Sequence, residues 1–172
     1  MNSRTLAPSL LDDTNAAFIQ GGVSINASSR TRENKPVMAR GAGCRVSKDL
    51  RTITLFFQTY GAEAFIEGIT TSRQIAVVFS LPSSNQTIQL KGSDASVTMV
   101  QKQDKKIAER YCDAFVADVC PLGYHESLVR ALLWFDSENL TAVSFTPSEA
   151  FLQTPGPRAG ECLKSGANAH TR

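Results

Sequence analysis

The sequence predicts a small, mainly β protein, a six-stranded antiparallel barrel, closed or partly closed, with peripheral helices. Three observations carry this. Six short segments show period-two alternation or β-branched and aromatic runs between polar turns. The links joining the first three segments are short and polar, as in a meander. Helical periodicity is confined to an opening segment, one crossover and a block late in the chain. A chain of 172 residues fills one core, so a single domain over residues 1–172 is expected.

Taken in order, Ser9 followed by Asp12 reads as an N-cap with a capping box, opening a helix over residues 9–20 that Gly21 and Gly22 stop. Val23 and Ile25 alternate with Ser24 and Asn26 in a first strand. A second runs over residues 37–47 and a third over 53–57, where Ile53, Leu55, Phe56 and Phe57 supply the apolar content. Ala62, Phe65, Ile66 and Ile69 fall at helical spacing, giving a crossover helix over 62–72 that Gly68 weakens. Residues 75–79 form a continuous apolar run expected to be buried on both faces. Residues 87–100 read as one long strand bent at Gly92. Ile107, Tyr111, Phe115 and Val119 stripe an amphipathic helix that Pro121 closes, residues 128–135 make another, and residues 140–145 return to strand. A disordered tail is expected from about 161.

Composition excludes several classes. Hydrophobic residues are 42% and charged residues 20% of the chain, ordinary globular usage. The longest apolar runs are five residues, far below the roughly 20 needed to span a bilayer, so no membrane partner is expected. The N-terminus lacks an apolar stretch of signal-peptide length, and a cytoplasmic protein is expected. Cys44, Cys112, Cys120 and Cys162 are scattered without a Cys-x-x-Cys pair and with two histidines in the chain, so neither a metal site nor a disulfide framework is indicated. Seven Lys or Arg fall between Arg30 and Arg51, but the net charge is +2 and aromatic residues do not interleave there, which argues against nucleic acid.

The most informative segment is the second strand, where Arg40, Gly41, Ala42, Gly43, Cys44 and Arg45 follow in succession. Glycine inside a strand marks either a bend or the close approach of a ligand or another backbone, and the flanking arginines suit an anion. A flat aromatic group with a phosphate tail would use both features. A sharp bend with the arginines in solvent is the other reading.

The succession Gly22-Val-Ser-Ile25, residues 36–45, residues 53–57, Ile75-Ala-Val-Val-Phe79 and Thr87-Ile-Gln-Leu-Lys-Gly92 resembles the pyridoxamine-5′-phosphate-oxidase-like family of FMN-binding split barrels. Residues 145–157 are similar to the ending of a less characterised branch. The resemblance covers roughly residues 18–160 and rests on the order of elements. It implies FMN bound at the two-fold interface of a homodimer. Arg40 and Arg45 reproduce the spacing of a strand arginine and a basic residue five positions on that help hold FMN in the oxidases. Gln58 and Thr59 occupy the place of a turn that lines the cofactor, and Gln86, Thr87 and Gln89 are the equivalents of a flavin-contacting glutamine. Thr87 and Gln89 could equally form the solvent side of an ordinary strand.

The chain departs from the family at the start of the crossover helix. A Ser-Arg-Lys phosphate grip is replaced by Gly61-Ala-Glu-Ala-Phe65, which leaves Thr71, Ser72 and Arg73, or Arg45, to meet the phosphate. The residues that bind pyridoxal phosphate have no counterpart, so vitamin B6 synthesis is not expected. His125 reads as a cap or surface residue, His170 as part of the tail, and Trp134 as core or dimer interface, with core favoured, although an aromatic near a barrel mouth could stack on a flavin. The resulting expectation is a flavin-dependent oxidoreductase with no assigned catalytic residue. The alternative is a carrier of flavin or haem.

Overall fold

The computed structural model describes residues 9–136 and 138–163. The first helix, α1 (Asp13–Ile19), starts later than the sequence suggests: Asp12 is the N-cap, its carboxylate accepting from the Asn15 N–H at 2.8 Å. Ser9 instead donates to the Leu50 carbonyl at 2.6 Å. The strands β1 (Ser24–Arg30), β2 (Pro36–Val46) and β3 (Ile53–Gln58) follow as a meander, then α2 (Glu63–Ser72), β4 (Ile75–Ser80) and β5 (Thr87–Gly92). β6 (Ser96–Thr98), α3 (Lys102–Val119), α4 (Glu126–Leu132), β7 (Leu140–Phe145) and β8 (Glu149–Leu152) complete the chain.

The eight strands form one antiparallel sheet in the order β6-β7-β3-β2-β1-β4-β5-β8. Eight strands replace the expected six for two reasons. The segment expected as one strand over 87–100 divides at Gly92, and its halves pair at opposite ends of the sheet, β5 with β4 and β8 and β6 with β7. The second reason is β8, whose four residues carry too little alternation to be seen in sequence. Beyond it, Cys162 bridges to Phe151 and the Leu163 N–H donates to the Ala150 carbonyl at 2.9 Å. These contacts hold residues 162 and 163, within the tail expected from about 161, against β8; the rest of that expected tail, with His170, lies outside the described residues.

β2 makes the sheet turn. Its first half pairs with β1 as far as Asn26 opposite Arg40, and its second half pairs with β3, with a register shift between Gly41 and Cys44. Gly43 sits at φ +125°, which an L side chain rarely adopts. A Cβ on Gly41 would lie 2.6 Å from Ile25 Cγ2, so the missing side chain gives Ile25 its place in the core. The sheet curls far enough that a Cβ on Gly92, ending β5, would meet the Phe145 ring of β7 at 2.7 Å.

Inside the curl, Ile25, Leu55, Phe57, Phe65, Val77, Phe79, Leu90 and Val143 are fully buried. Phe57 and Phe65 stack at 4.8 Å between centroids, a pair that contributes roughly 1 kcal/mol beyond its area. β4 shows strict alternation, so it is buried on one face only, contrary to the two-faced burial its apolar run suggests. α3 lies across β2, where Tyr111 covers Gly43, and Arg45 reaches its first turn to pair with Asp104. No helix among the described residues is long and apolar enough to cross a membrane.

Candidate functional site

A cleft of ≈ 170 Å³ opens where β2 leaves β1. It is lined by Ala39, Arg40, Gly41 and Ala42 of β2, by Gln58 at the end of β3, by Tyr60, Gly61 and Ala62 entering α2, and by Leu132 to Phe135 after α4. Arg40 is the one charged side chain in this lining. On its other side an apolar hollow of ≈ 240 Å³ lies among Phe115, Val119, Tyr124, Val129 and Leu132. The guanidinium stands 5.4 Å from the Phe115 ring centroid, within cation–π range. Tyr60 and Trp134, 85% and 69% exposed, form the rim. Trp134 is thus a rim residue and not core, because the chain turns out of α4 one residue before it.

The expected site residues divide. Arg40, Gly41, Ala42 and Gln58 line the cleft. Gln58 and Thr59 also anchor the segment beyond Phe135: Gln58 Oε1 accepts from the Asp136 N–H at 2.8 Å, while the Thr59 N–H and hydroxyl both donate to the Asn139 carbonyl, at 2.9 and 2.6 Å. Asp136 closes the same loop by accepting from the Glu138 N–H and the Asn139 amide. The Glu138 amide and then Asn139 hold its carboxyl below the ordinary carboxylate range.

The remaining residues lie elsewhere. Gly43 and Cys44 face α3 and α1; the Cys44 thiol donates to the Ile19 carbonyl at 2.9 Å, and burial pushes its pKa far up, which leaves it inert. Arg45 is engaged with Asp104, Nε to Oδ1 at 3.0 Å. Ser72 and Arg73 sit at the opposite end of α2, roughly 15 Å from the cleft for a ten-residue helix; Ser72 back-bonds to the Gly68 carbonyl and Arg73 donates to the Asp94 carbonyl. Gln86 is exposed in a turn. Thr87 and Gln89 share the outer sheet face with Arg40, through the row Arg40, Asn26, Val78, Gln89. Three strand spacings, about 14 Å, separate them from Arg40. They bond to Ser80 at 2.8 Å and to Gln153 at 3.4 Å. His125 is the N-cap of α4, as a capping role requires.

Two participants escaped sequence reasoning. Tyr111 shows there only as a member of the α3 stripe, yet its hydroxyl is buried without a hydrogen-bond partner. Burial pushes the phenol up to about 12, with the Arg40 guanidinium pulling the other way. Glu63 begins α2, and its Oε2 accepts from the Gly61 N–H at 2.8 Å.

The fold and cleft together define a curled, mainly antiparallel sheet with peripheral helices and a surface site at the strand that bends. No protein-family model matches the chain, and no curated protein does. Among solved structures it is similar to HupZ of Group A Streptococcus, with a TM-score of 0.51 at 12% identity over 87% of this chain and 99% of that chain. It is also similar to an F420 reductase, with a TM-score of 0.50 at 10% identity over 81% and 98% of the two chains. A third match is a pyridoxamine 5′-phosphate oxidase-related, FMN binding protein of Nostoc punctiforme, at 0.44 and 12% over 80% and 77%. At these identities the likeness is one of fold. The fold it shares with HupZ and the F420 reductase is the mainly antiparallel sheet with peripheral helices that the order of its elements implied.

FMN can be tested against this cleft in two halves. For the ring, the β2 backbone at Gly41 and Ala42, the Arg40 guanidinium and two exposed aromatics line the cleft. For the phosphate, Arg45 is engaged with Asp104 and the Gly61 N–H with Glu63, which leaves Arg40 as the cationic side chain in the cleft lining.

Proposed function

We propose that the chain binds a planar flavin-type ring in the cleft between β2, the turn into α2 and the loop after α4. The supporting observation is the convergence of Arg40 with two largely exposed aromatics, Tyr60 and Trp134, on one backbone-walled slot. Exposed aromatics at a cleft mouth suit the stacking of a ring, and the guanidinium suits a polarised carbonyl edge.

The cleft of one chain is smaller than the few hundred Å³ of a site that encloses its ligand. We therefore propose a homodimer in which the second copy closes the ring's other face, with Leu132 and Trp134 as contacts. Within that site the bound ring would supply the redox chemistry, and Arg40, Tyr60 and Trp134 would orient it and exclude water. Of the two roles, oxidoreductase and carrier, the first is separated by reduction of bound flavin with NADH or NADPH followed by reoxidation. Haem is the weaker ligand, since exposed Tyr60 is the one side chain in the cleft lining of a type that ligates haem iron.

The test is purification from a flavin-replete cell, an absorbance spectrum, and flavin titration read by Trp134 quenching in the wild type and Arg40→Ala. A yellow protein, or saturable quenching that Arg40→Ala weakens about tenfold or more, is the expected result. A colourless protein that ignores added flavin sinks the reading.

A further inference from the structure

The apolar hollow beside the cleft is lined by the buried side chains Phe115 and Val119 of α3 and Val129 of α4, and by Tyr124 and Leu132, which are 57% and 64% exposed. Ser24 of β1, Arg40 of β2 and Pro82 in the turn after β4 complete it. Two ties hold these walls together without a ligand: Arg130 of α4 pairs with Asp113 of α3 at 2.8 Å, and Asp118 of α3 accepts from the Ser83 N–H, next to Pro82, at 3.1 Å. Arg40 is the one charged side chain in the lining. Its guanidinium stands over the Phe115 ring, which offers no oxygen acceptor, and among the described residues no carboxylate pairs with it. Ser24 Oγ accepts from the Asn26 amide at 3.2 Å and donates to no group among the described residues. A mainly apolar hollow thus carries a cation and a hydroxyl donor in its lining, the composition of a site for an amphipathic small molecule.

We propose that this hollow is a second binding site, for a small carboxylic acid with a compact apolar body, whose carboxylate meets Arg40 and Ser24 and whose hydrocarbon packs on Phe115, Val119 and Val129. A neutral ligand leaves the guanidinium without a counter-charge, and a cationic one is repelled by it. The volume of ≈ 240 Å³ is below the roughly 300–1,000 Å³ of a site for a drug-sized ligand, which suits a chain or ring of about ten non-hydrogen atoms. The hollow shares Arg40 and Leu132 with the cleft, whereas Phe115, Val119, Tyr124 and Val129 belong to the hollow and not to the cleft lining. The acid therefore binds whether or not a flavin occupies the cleft, and the two readings stand or fall separately.

The experiment is isothermal titration of the full-length protein with octanoate and with its neutral counterpart octanol, in the wild type, Arg40→Gln, Tyr124→Asp and Tyr60→Ala. All three substituted side chains are exposed, so the fold survives the changes. Octanoate should saturate the wild type with a Kd of about 0.1–1 mM, and octanol should bind at least about tenfold more weakly. Arg40→Gln removes the counter-charge and Tyr124→Asp sets a like charge in the hollow, and each should weaken octanoate by about tenfold or more. Tyr60 lines the cleft and not the hollow, so Tyr60→Ala should leave octanoate within about twofold of the wild type. Absence of saturable heat in the wild type overturns the proposal, the hollow then holding only water or a side chain of a second copy. Octanol binding as tightly as octanoate overturns it too, as does a loss in Tyr60→Ala with Tyr124→Asp unaffected, which would place the acid in the cleft.

Discussion

Arg45 and Asp104 form a two-point ion pair in which the carboxylate is wholly buried and the guanidinium 28% exposed. The same carboxylate accepts from the Gln101 N–H at 2.9 Å, so it caps α3 while it anchors that helix to β2. Asp104→Ala leaves a half-buried guanidinium without its counter-charge and uncaps the helix, and we expect a loss of about 3 kcal/mol in urea unfolding. Asp104→Asn, which retains an acceptor for the cap, should lose less. Equal stability of the wild type and the alanine variant would show that the pair does not fasten α3.

That pair also explains why the fold was easier to read than the site. Alternation at Val23, Ile25 and Ala27 and the helical stripe from Ile107 to Val119 report local burial directly. Whether Arg45 faces a ligand or Asp104 is set by a contact 59 positions away, which no local pattern encodes. Gln58 was read as a cofactor contact and lines the cleft, but its partner is the Asp136 amide, 78 positions on. Gly41 and Gly43 carried two readings, and neither residue alone could decide between bend and ligand seat. The structure fills the spaces beside them with Ile25 and Tyr111, so the bend accounts for both glycines, while the Gly41 backbone still forms cleft wall.

The glycines give a graded prediction. Gly41→Ala puts a Cβ 2.6 Å from Ile25 Cγ2 and 2.9 Å from Ile25 Cβ, a clash with the body of a fully buried side chain. A loss of roughly 2–3 kcal/mol is expected, and less when Gly41→Ala is made in an Ile25→Ala background than in the wild type. Gly43→Ala has more room, 3.3 Å to Tyr111 Cβ, but φ +125° is strained for alanine, which costs about 1–3 kcal/mol. The Ile25 partner change should not rescue it. Thermal melts of the four proteins separate steric from conformational cost, and rescue of Gly43→Ala by Ile25→Ala would refute the distinction.

Tyr111 carries a buried hydroxyl that makes no well-formed hydrogen bond, although the Ile25 backbone and the Arg40 guanidinium lie close to it, and such a group costs roughly 1–3 kcal/mol of desolvation. Tyr111→Phe should therefore stabilise the fold by about 1 kcal/mol, a rise of roughly 2–4 °C in melting temperature for a chain of this size. The phenol also links stability to alkaline pH. Its folded pKa is raised to about 12 from the ordinary phenol value of 10.0, so the folded state binds its proton more tightly than the unfolded state. This contribution is fully present below 10.0 and is lost as pH rises toward about 12. Denaturant midpoints should fall over that interval in the wild type and fall less in Tyr111→Phe. A destabilised phenylalanine variant would mean that the hydroxyl has a partner.

The loop carrying the cleft's rim tryptophan should respond to acid through Asp136. Its carboxylate accepts from the Glu138 N–H at 2.9 Å and the Asn139 amide, bonds that require the ionised form and hold its pKa below the ordinary value. A depressed carboxyl stabilises the folded loop above its unfolded pKa of about 4, and the contribution disappears as pH falls from there through the lowered folded value. Trp134 is the only tryptophan in the chain and lies two residues before Asp136, so its fluorescence reports this loop alone. We expect a shift in its emission below about pH 4 that precedes loss of far-UV circular dichroism, together with weakening of any flavin quenching. Asp136→Asn, unable to titrate, should show no such early step. If the emission and the circular dichroism change together in both proteins, the loop has no acid response of its own, and the cleft wall melts only with the sheet behind it.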